Sequence, residues 1–146
     1  MSNKEIHVTI YTKEKGILEF SKQEWFYFRP SIVTLHRDNG PAFEFSSGSR
    51  EWWREGKLHR DDGPALEYNG IKTWYINGDK HRLDGPAVLV SYPYNEEYHI
   101  DGVLILKCKF DALISEMKSL GPSLGLIDPR WWVRDYWKNK LKDPTF

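Results

Sequence analysis

One cysteine, Cys108, is all the thiol this chain has, which excludes an intrachain disulfide framework and a cysteine-based zinc cage. Its lack of a partner predicts a reducing compartment, a cytoplasm. Charge of one sign is missing too: 21 Lys and Arg balance 21 Asp and Glu, so no global field draws the protein to nucleic acid or to an anionic membrane. Long hydrophobic runs are absent. The opening Met1-Ser2-Asn3-Lys4-Glu5 lacks the apolar stretch of a signal peptide, and aliphatic runs such as Val103 to Leu106 fall far short of the roughly 18 residues a membrane span needs. These absences predict a soluble protein that is not exported by such routes. Nor does the chain hold a Gly-x-Ser-x-Gly elbow, a phosphate loop, a Rossmann glycine pattern or His-Glu-x-x-His.

Aromatic rings are plentiful instead: 7 Trp, 8 Tyr and 7 Phe in 146 residues. One ring buries on the order of 150–250 Å², which suits a thin structure whose few core positions must each cover much area. The length fits one domain able to bury about two thirds of the surface of its unfolded chain.

Two interleaved phrases repeat through the middle. His36-Arg37-Asp38-Asn39-Gly40-Pro41-Ala42 returns from His59 to Ala65 and from His81 to Ala87, at spacings of 23 and 22 residues. Between the copies lie Trp52-Trp53-Arg54-Glu55-Gly56, Trp74-Tyr75-Ile76-Asn77-Gly78 and Tyr98-His99-Ile100-Asp101-Gly102, at spacings of 22 and 24. Each unit reads as a β-hairpin: a short strand after Gly-Pro-Ala (Phe43 to Phe45, Leu66 to Tyr68, Val88 to Val90), a turn such as Asn69-Gly70, then a Trp-bearing strand ended by Asn77-Gly78 or Asp101-Gly102. Pro41, Pro64 and Pro86 mark strand beginnings or bulges, because proline donates no ladder bond.

Alternation assigns Phe43, Phe45, Leu66, Tyr68, Val88 and Val90 to the core and turns Ala42, Glu44, Ala65 and Glu67 the other way. Trp52 and Trp53, like Trp74 and Tyr75, face apart, leaving one ring of each pair partly exposed. Residues 1–34 read as a β cap: a strand over Ile6 to Tyr11, a turn at Lys15-Gly16, a return over Ile17 to Phe20, and a capping box at Ser21 to Glu24. Residues 107–146 read as a helical cap. Phe110, Leu113, Ile114, Met117 and Leu120 recur at helical spacing, and Asp128-Pro129 opens a final helix of roughly 12 residues. The expected architecture is mainly β with C-terminal helices (α+β): an antiparallel hairpin-repeat sheet over residues 35–106, capped by an N-terminal hairpin and two C-terminal helices.

The hairpin with its aromatic and Asn-Gly punctuation resembles MORN-type repeats over about residues 35 to 106, and His-Arg-x-x-Gly-Pro-Ala is similar to a variant common in accessory proteins of tailed bacteriophages and large DNA viruses. Gly-Pro-Ala stands where the usual MORN pattern has internal glycines, so lipid binding does not carry over. The resemblance implies a MORN-like interaction scaffold with a viral accessory role, and no catalytic motif to transfer.

Two readings of His59, His81, Arg60 and Arg82 stand side by side. They form a ladder of donors for phosphates or carboxylates of a partner, or they hold the repeat together, Arg60 pairing with Asp62 and Arg82 with Asp84 while histidine braces the bend. Residues 35 to 87 hold 8 basic and 9 acidic side chains, less basic than a nucleic-acid groove. Histidines a repeat apart stand too far from one another for one zinc coordination sphere, and no cofactor is expected. Cys108, on an apolar stretch, reads as a packed side chain rather than a nucleophile working with His99. Trp131-Trp132-Val133-Arg134-Asp135-Tyr136-Trp137 either seals the sheet or anchors a partner.

The sequence thus predicts a non-enzymatic viral protein, of bacteriophage type, that binds a host protein in the host cytoplasm and blunts a defence. Its binding residues would be Trp53, Tyr75, Arg60, Arg82, His59, His81 and Trp131. The alternative is a binder that sequesters a small anionic, nucleotide-like ligand; a homo-oligomer is compatible with either, and neither nucleic acid nor membrane is an expected partner.

Overall fold

A computed structural model describes residue 5 and residues 7–28, 33–120, 139–140 and 142–145. In chain order the elements are β1 (Val8–Thr12), β2 (Gly16–Phe20), α1 (Lys22–Tyr27), β3 (Phe43–Phe45), β4 (Arg50–Glu51), β5 (Trp53–Arg54), β6 (Lys57–Leu58), β7 (Leu66–Tyr68) and β8 (Ile71–Thr73). Then come β9 (Tyr75–Ile76), β10 (Asp79–Lys80), β11 (Val88–Val90), β12 (Asn95–Ile100), β13 (Val103–Ile105) and α2 (Lys107–Leu120). Nine strands form one antiparallel sheet in the order β13-β12-β11-β8-β7-β4-β3-β1-β2. The fold is mainly β with a C-terminal helix, and no helix among the described residues is long and apolar enough to cross a membrane.

Local chemistry accounts for the elements. Asn69-Gly70, Asn77-Gly78 and Asp101-Gly102 all take positive φ, with Asn69 at 45°, Asn77 at 52° and Asp101 at 46°, as two-residue hairpin turns require. Glu55 adopts the same conformation at φ 50° without the side chain that favours it. The Ser21 hydroxyl accepts from the Glu24 amide, and the Glu24 carboxylate accepts from the Ser21 amide at 2.8 Å, closing the expected capping box.

The Trp-bearing strand is not continuous in the inner units. It breaks at Trp52 and at Trp74, and the residues beyond each break fold into a separate two-stranded hairpin, β5 with β6 or β9 with β10. Each inner unit is therefore two hairpins, one in the large sheet and one leaving it. In the last unit β12 runs unbroken through Tyr98 to Ile100 and pairs with β13.

Large apolar side chains gather at the two ends. At one, Val8, Ile10 and Phe43 pack with Leu18, Phe20, Trp25, Phe28, Val33, Leu35, Phe45 and Trp53. At the other, Tyr98, Ile100 and Ile105 pack with Phe110, Leu113 and Met117 of α2, three positions that each contribute on the order of 1.5–3 kcal/mol of burial. One core assignment is overturned. Tyr68, expected in the core, is exposed, because it ends β7 beside the Asn69-Gly70 turn beyond both end clusters. Ala42, Ala65 and Ala87, which alternation turns away from the core row, are fully buried too. Of the two C-terminal helices, α2 is present; the one expected from Asp128 lies outside the described residues.

Candidate functional site

The repeated phrase folds back on itself around its arginine. Arg60 lays its guanidinium 4.0 Å from the Trp52 ring centroid, Arg82 stands 3.9 Å from Trp74, and Arg37 stands 3.7 Å from Tyr11. Each guanidinium also donates to a carbonyl across the bend: Arg37 to Pro41 at 3.0 Å, Arg60 to Pro64 at 3.1 Å and Arg82 to Pro86 at 3.2 Å. The acid two residues on completes the set, with Arg60 Nε to Asp62 at 2.8 Å and Arg82 Nε to Asp84 at 2.7 Å. These hydrogen bonds hold the Asp62 and Asp84 carboxyls below their ordinary range. Asn39 occupies that place in the first copy, and Arg37 pairs with Glu44 at 3.2 Å instead.

Glycine precedes each proline because the guanidinium lies where its Cβ would be. A Cβ on Gly63 would stand 2.8 Å from Arg60 Cζ, and one on Gly85 would stand 3.2 Å from Arg82 Cζ.

Histidine ties each unit to the next. The Nδ1 of His36 accepts from the Glu55 amide at 3.1 Å, that of His59 from Asn77 at 3.1 Å, and that of His81 from Asp101 at 3.2 Å. These are the positive-φ residues of the three tight turns, so an imidazole of one unit holds the turn of its successor. The glycine after each turn residue donates to the carbonyl just before that histidine: Gly56 to Leu35, Gly78 to Leu58 and Gly102 to Lys80.

Tyr11 plays the ring of an extra first unit, to which the sequence pattern gives no clue. Its amide donates to Ala42 at 2.8 Å, as those of Trp52 and Trp74 donate to Ala65 and Ala87. The helix α1 and its flanks separate Tyr11 from Arg37, and this insertion hides the repeat. At the far end the series stops chemically: Ile105 and Leu106 stand where His81 and Arg82 stood, and only Lys107 remains near the Tyr98 ring, 5.5 Å from its centroid.

Of the residues the sequence singles out, Arg60, Arg82, His59 and His81 are buried or half-buried and engaged in these bonds within and between units. Trp53 is half-buried in the N-terminal cluster, with its indole N–H donating to Glu51 at 2.7 Å, and Tyr75 is half-buried in β9, where it pairs with Lys80. Trp131 lies outside the described residues. Cys108, expected as a packed side chain, is exposed, because the buried stripe of α2 runs through Phe110, Leu113 and Met117 and passes it by.

Among the described residues, a groove and a cluster of tyrosines face solvent. A groove of about 510 Å³ runs between the first two phrases, lined by Arg37, Arg54 and Arg60 and by Asp38, Asp61 and Asp62. On neighbouring hairpin tips, Tyr68, Tyr92 and Tyr94 are 52%, 92% and 70% exposed. Those tips are joined by the Ser91 amide and hydroxyl, both donating to the Gly70 carbonyl at 3.0 and 2.9 Å. The Tyr94 hydroxyl donates to Glu96, a bond that pushes its own pKa up and that of Glu96 down. The Tyr92-Pro93-Tyr94 run between two strands was the signal for this pair. The chain matches no protein-family model, no curated protein and no solved structure.

Proposed function

We propose that this is a non-enzymatic binding protein, a MORN-like repeat scaffold of viral, bacteriophage type, that engages a host protein in the host cytoplasm and so blunts a defence. The observation that carries binding is the cluster of Tyr68, Tyr92 and Tyr94 on two linked hairpin tips. Exposed tyrosines present large apolar faces with a polar end at little entropic cost, which favours a protein partner. The guanidiniums and imidazoles of the repeated phrase support the same assignment from the other direction, since their hydrogen bonds are spent inside the scaffold. The viral setting rests on the resemblance of the His-Arg-x-x-Gly-Pro-Ala phrase alone.

The groove between the first two phrases favours a second reading, in which Arg54 and its neighbours hold a small anionic, nucleotide-like ligand. One experiment separates the two. The purified chain is used to capture host proteins, and small molecules released from it on denaturation are identified by mass spectrometry. Under the first reading one host protein is retained and Tyr92→Ala with Tyr94→Ala weakens its binding about 30-fold or more. An anion lost on Arg54→Ala supports the second, and a metabolite consumed rather than held overturns both.

A further inference from the structure

We propose that the β13 edge is a two-fold interface between copies of this chain. Every hairpin of the array but the last is covered by its successor, the carbonyl of Leu58 accepting from Gly78 at 2.8 Å and that of Lys80 from Gly102 at 2.9 Å. Leu104 holds the same place in the last hairpin, and its strand ends the sheet among the described residues. The two-residue turn Asp101-Gly102 makes Ile100 with Val103, and then Tyr98 with Ile105, the pairs that exchange bonds. Leu104 accordingly turns its amide and carbonyl toward the open side, as Leu58 and Lys80 do.

The side chains on this edge are the reverse of what a terminal unit facing water needs. Val103, Leu104 and Leu106 are 47%, 64% and 68% exposed. The corresponding residues of the covered hairpins are Lys57, Leu58 and Arg60, and Asp79, Lys80 and Arg82. Charge thus fills five of the six covered positions and apolar side chains all three uncovered ones, although terminal repeats require a polar outer face. The edge also lacks the lysines, prolines and bulges with which sheets ordinarily block pairing. At the other edge, β2 carries Glu19 with Lys15 beside it, both exposed.

A second copy fits this edge better than another partner does. A two-fold axis at Leu104 pairs the strand antiparallel with itself, which continues the alternation of all nine strands. The two Leu104 residues then exchange both main-chain bonds, and no charged side chain within 103–106 meets its own copy. Four residues cover only a few hundred Å² per copy, against about 800 Å² per partner in a standard interface, so association is weak and concentration-dependent.

Sedimentation velocity of the whole chain, from about 1 μM to about 1 mM, tests this by mass. The expected result is growth from the 17.3 kDa monomer toward twice that mass and no further, with Leu104→Lys weakening association at least about tenfold at an unchanged thermal melt. Should Leu104→Lys lose its cooperative melt, Leu106→Lys takes its place. A nitroxide on the native Cys108 gives a second readout, a single intermolecular distance that appears with the dimer. A monomer at every concentration overturns the proposal, as does growth beyond two copies or a dimer indifferent to both substitutions.

Discussion

The imidazole of His59 accepts a hydrogen bond from the main-chain amide of Asn77, 18 residues further on, at 3.1 Å. One side chain thereby fixes the turn of the next unit, and His36 and His81 repeat the contact at Glu55 and Asp101. Where the sheet is only a few residues wide and the large apolar clusters sit at its ends, these bonds and the arginine stacks hold the middle.

Removing an imidazole leaves a turn amide without its acceptor, and the cost rises with burial. The side chains of His59, His81 and His36 are 7%, 14% and 22% exposed. Alanine at His59 is expected to cost about 2–3 kcal/mol, at His81 less and at His36 least, toward about 1 kcal/mol, in urea unfolding. A reversed order would separate these bonds from the stability of the array.

Gly63→Ala places a methyl group 2.8 Å from Arg60 Cζ and so drives the guanidinium off Trp52, whereas in Gly85→Ala the same contact is 3.2 Å and the arginine has only to give slightly. The first substitution is expected to cost about 1–3 kcal/mol and the second less, with Gly63→Val exceeding about 2 kcal/mol. Urea midpoints of the three variants check the ranking.

Glu51 provides a pH test. Desolvation by burial raises its pKa, partly offset by the hydrogen bond from the Trp53 indole. A carboxyl whose folded pKa lies above its unfolded value, about 4.3, carries no penalty below that value, and the penalty grows as pH rises through the folded pKa. Glu51→Gln, which keeps an acceptor for the indole, should therefore stabilise the protein at neutral pH, with the gain vanishing on acidification below about pH 4. Melting temperatures of both proteins across that range decide it.

Two tyrosines six residues apart should behave oppositely. Tyr92 is exposed, and Tyr92→Ala is expected to change stability by no more than about 0.5 kcal/mol. Tyr98 is buried against Phe110, ring centroids 4.8 Å apart, and Tyr98→Ala should cost about 3 kcal/mol or more by opening the seat of α2. Thermal melts of the two variants distinguish a tip residue from a core residue.

Cys108 is expected to react with a thiol reagent in the native protein as fast as a free thiol does, because it lies on the exposed side of α2. Reaction only on unfolding, monitored by absorbance at increasing urea, would return it to the core.

How much of this was legible in the sequence depended on the range of the interaction concerned. The turns Asn69-Gly70, Asn77-Gly78 and Asp101-Gly102, the capping box of Ser21 and Glu24, the helical stripe of α2 and the strands Phe43–Phe45, Leu66–Tyr68 and Val88–Val90 are all where the sequence puts them. Each is determined within a few residues, by positive φ, by capping or by proline, so a local reading suffices. The pairings of Arg60 with Asp62 and of Arg82 with Asp84 are local in the same sense.

What only the tertiary structure decided involves partners far apart in the chain. Tyr11 serves as the ring for Arg37 across an inserted helix, and no period in the sequence spans that gap. Tyr68 keeps an inward-facing phase on its strand and still emerges into solvent, because alternation states a side and not whether anything lies on that side. Ala42, Ala65 and Ala87, turned away from the core row by the same alternation, are nonetheless fully buried, which the pattern likewise leaves open. Cys108 faces outward for a reason of the same kind, since only the seating of α2 against β12 and β13 decides which of its stripes is covered. Turn chemistry acts through neighbours in the chain, while burial depends on what packs across the gap, and that is settled only when the whole sheet closes.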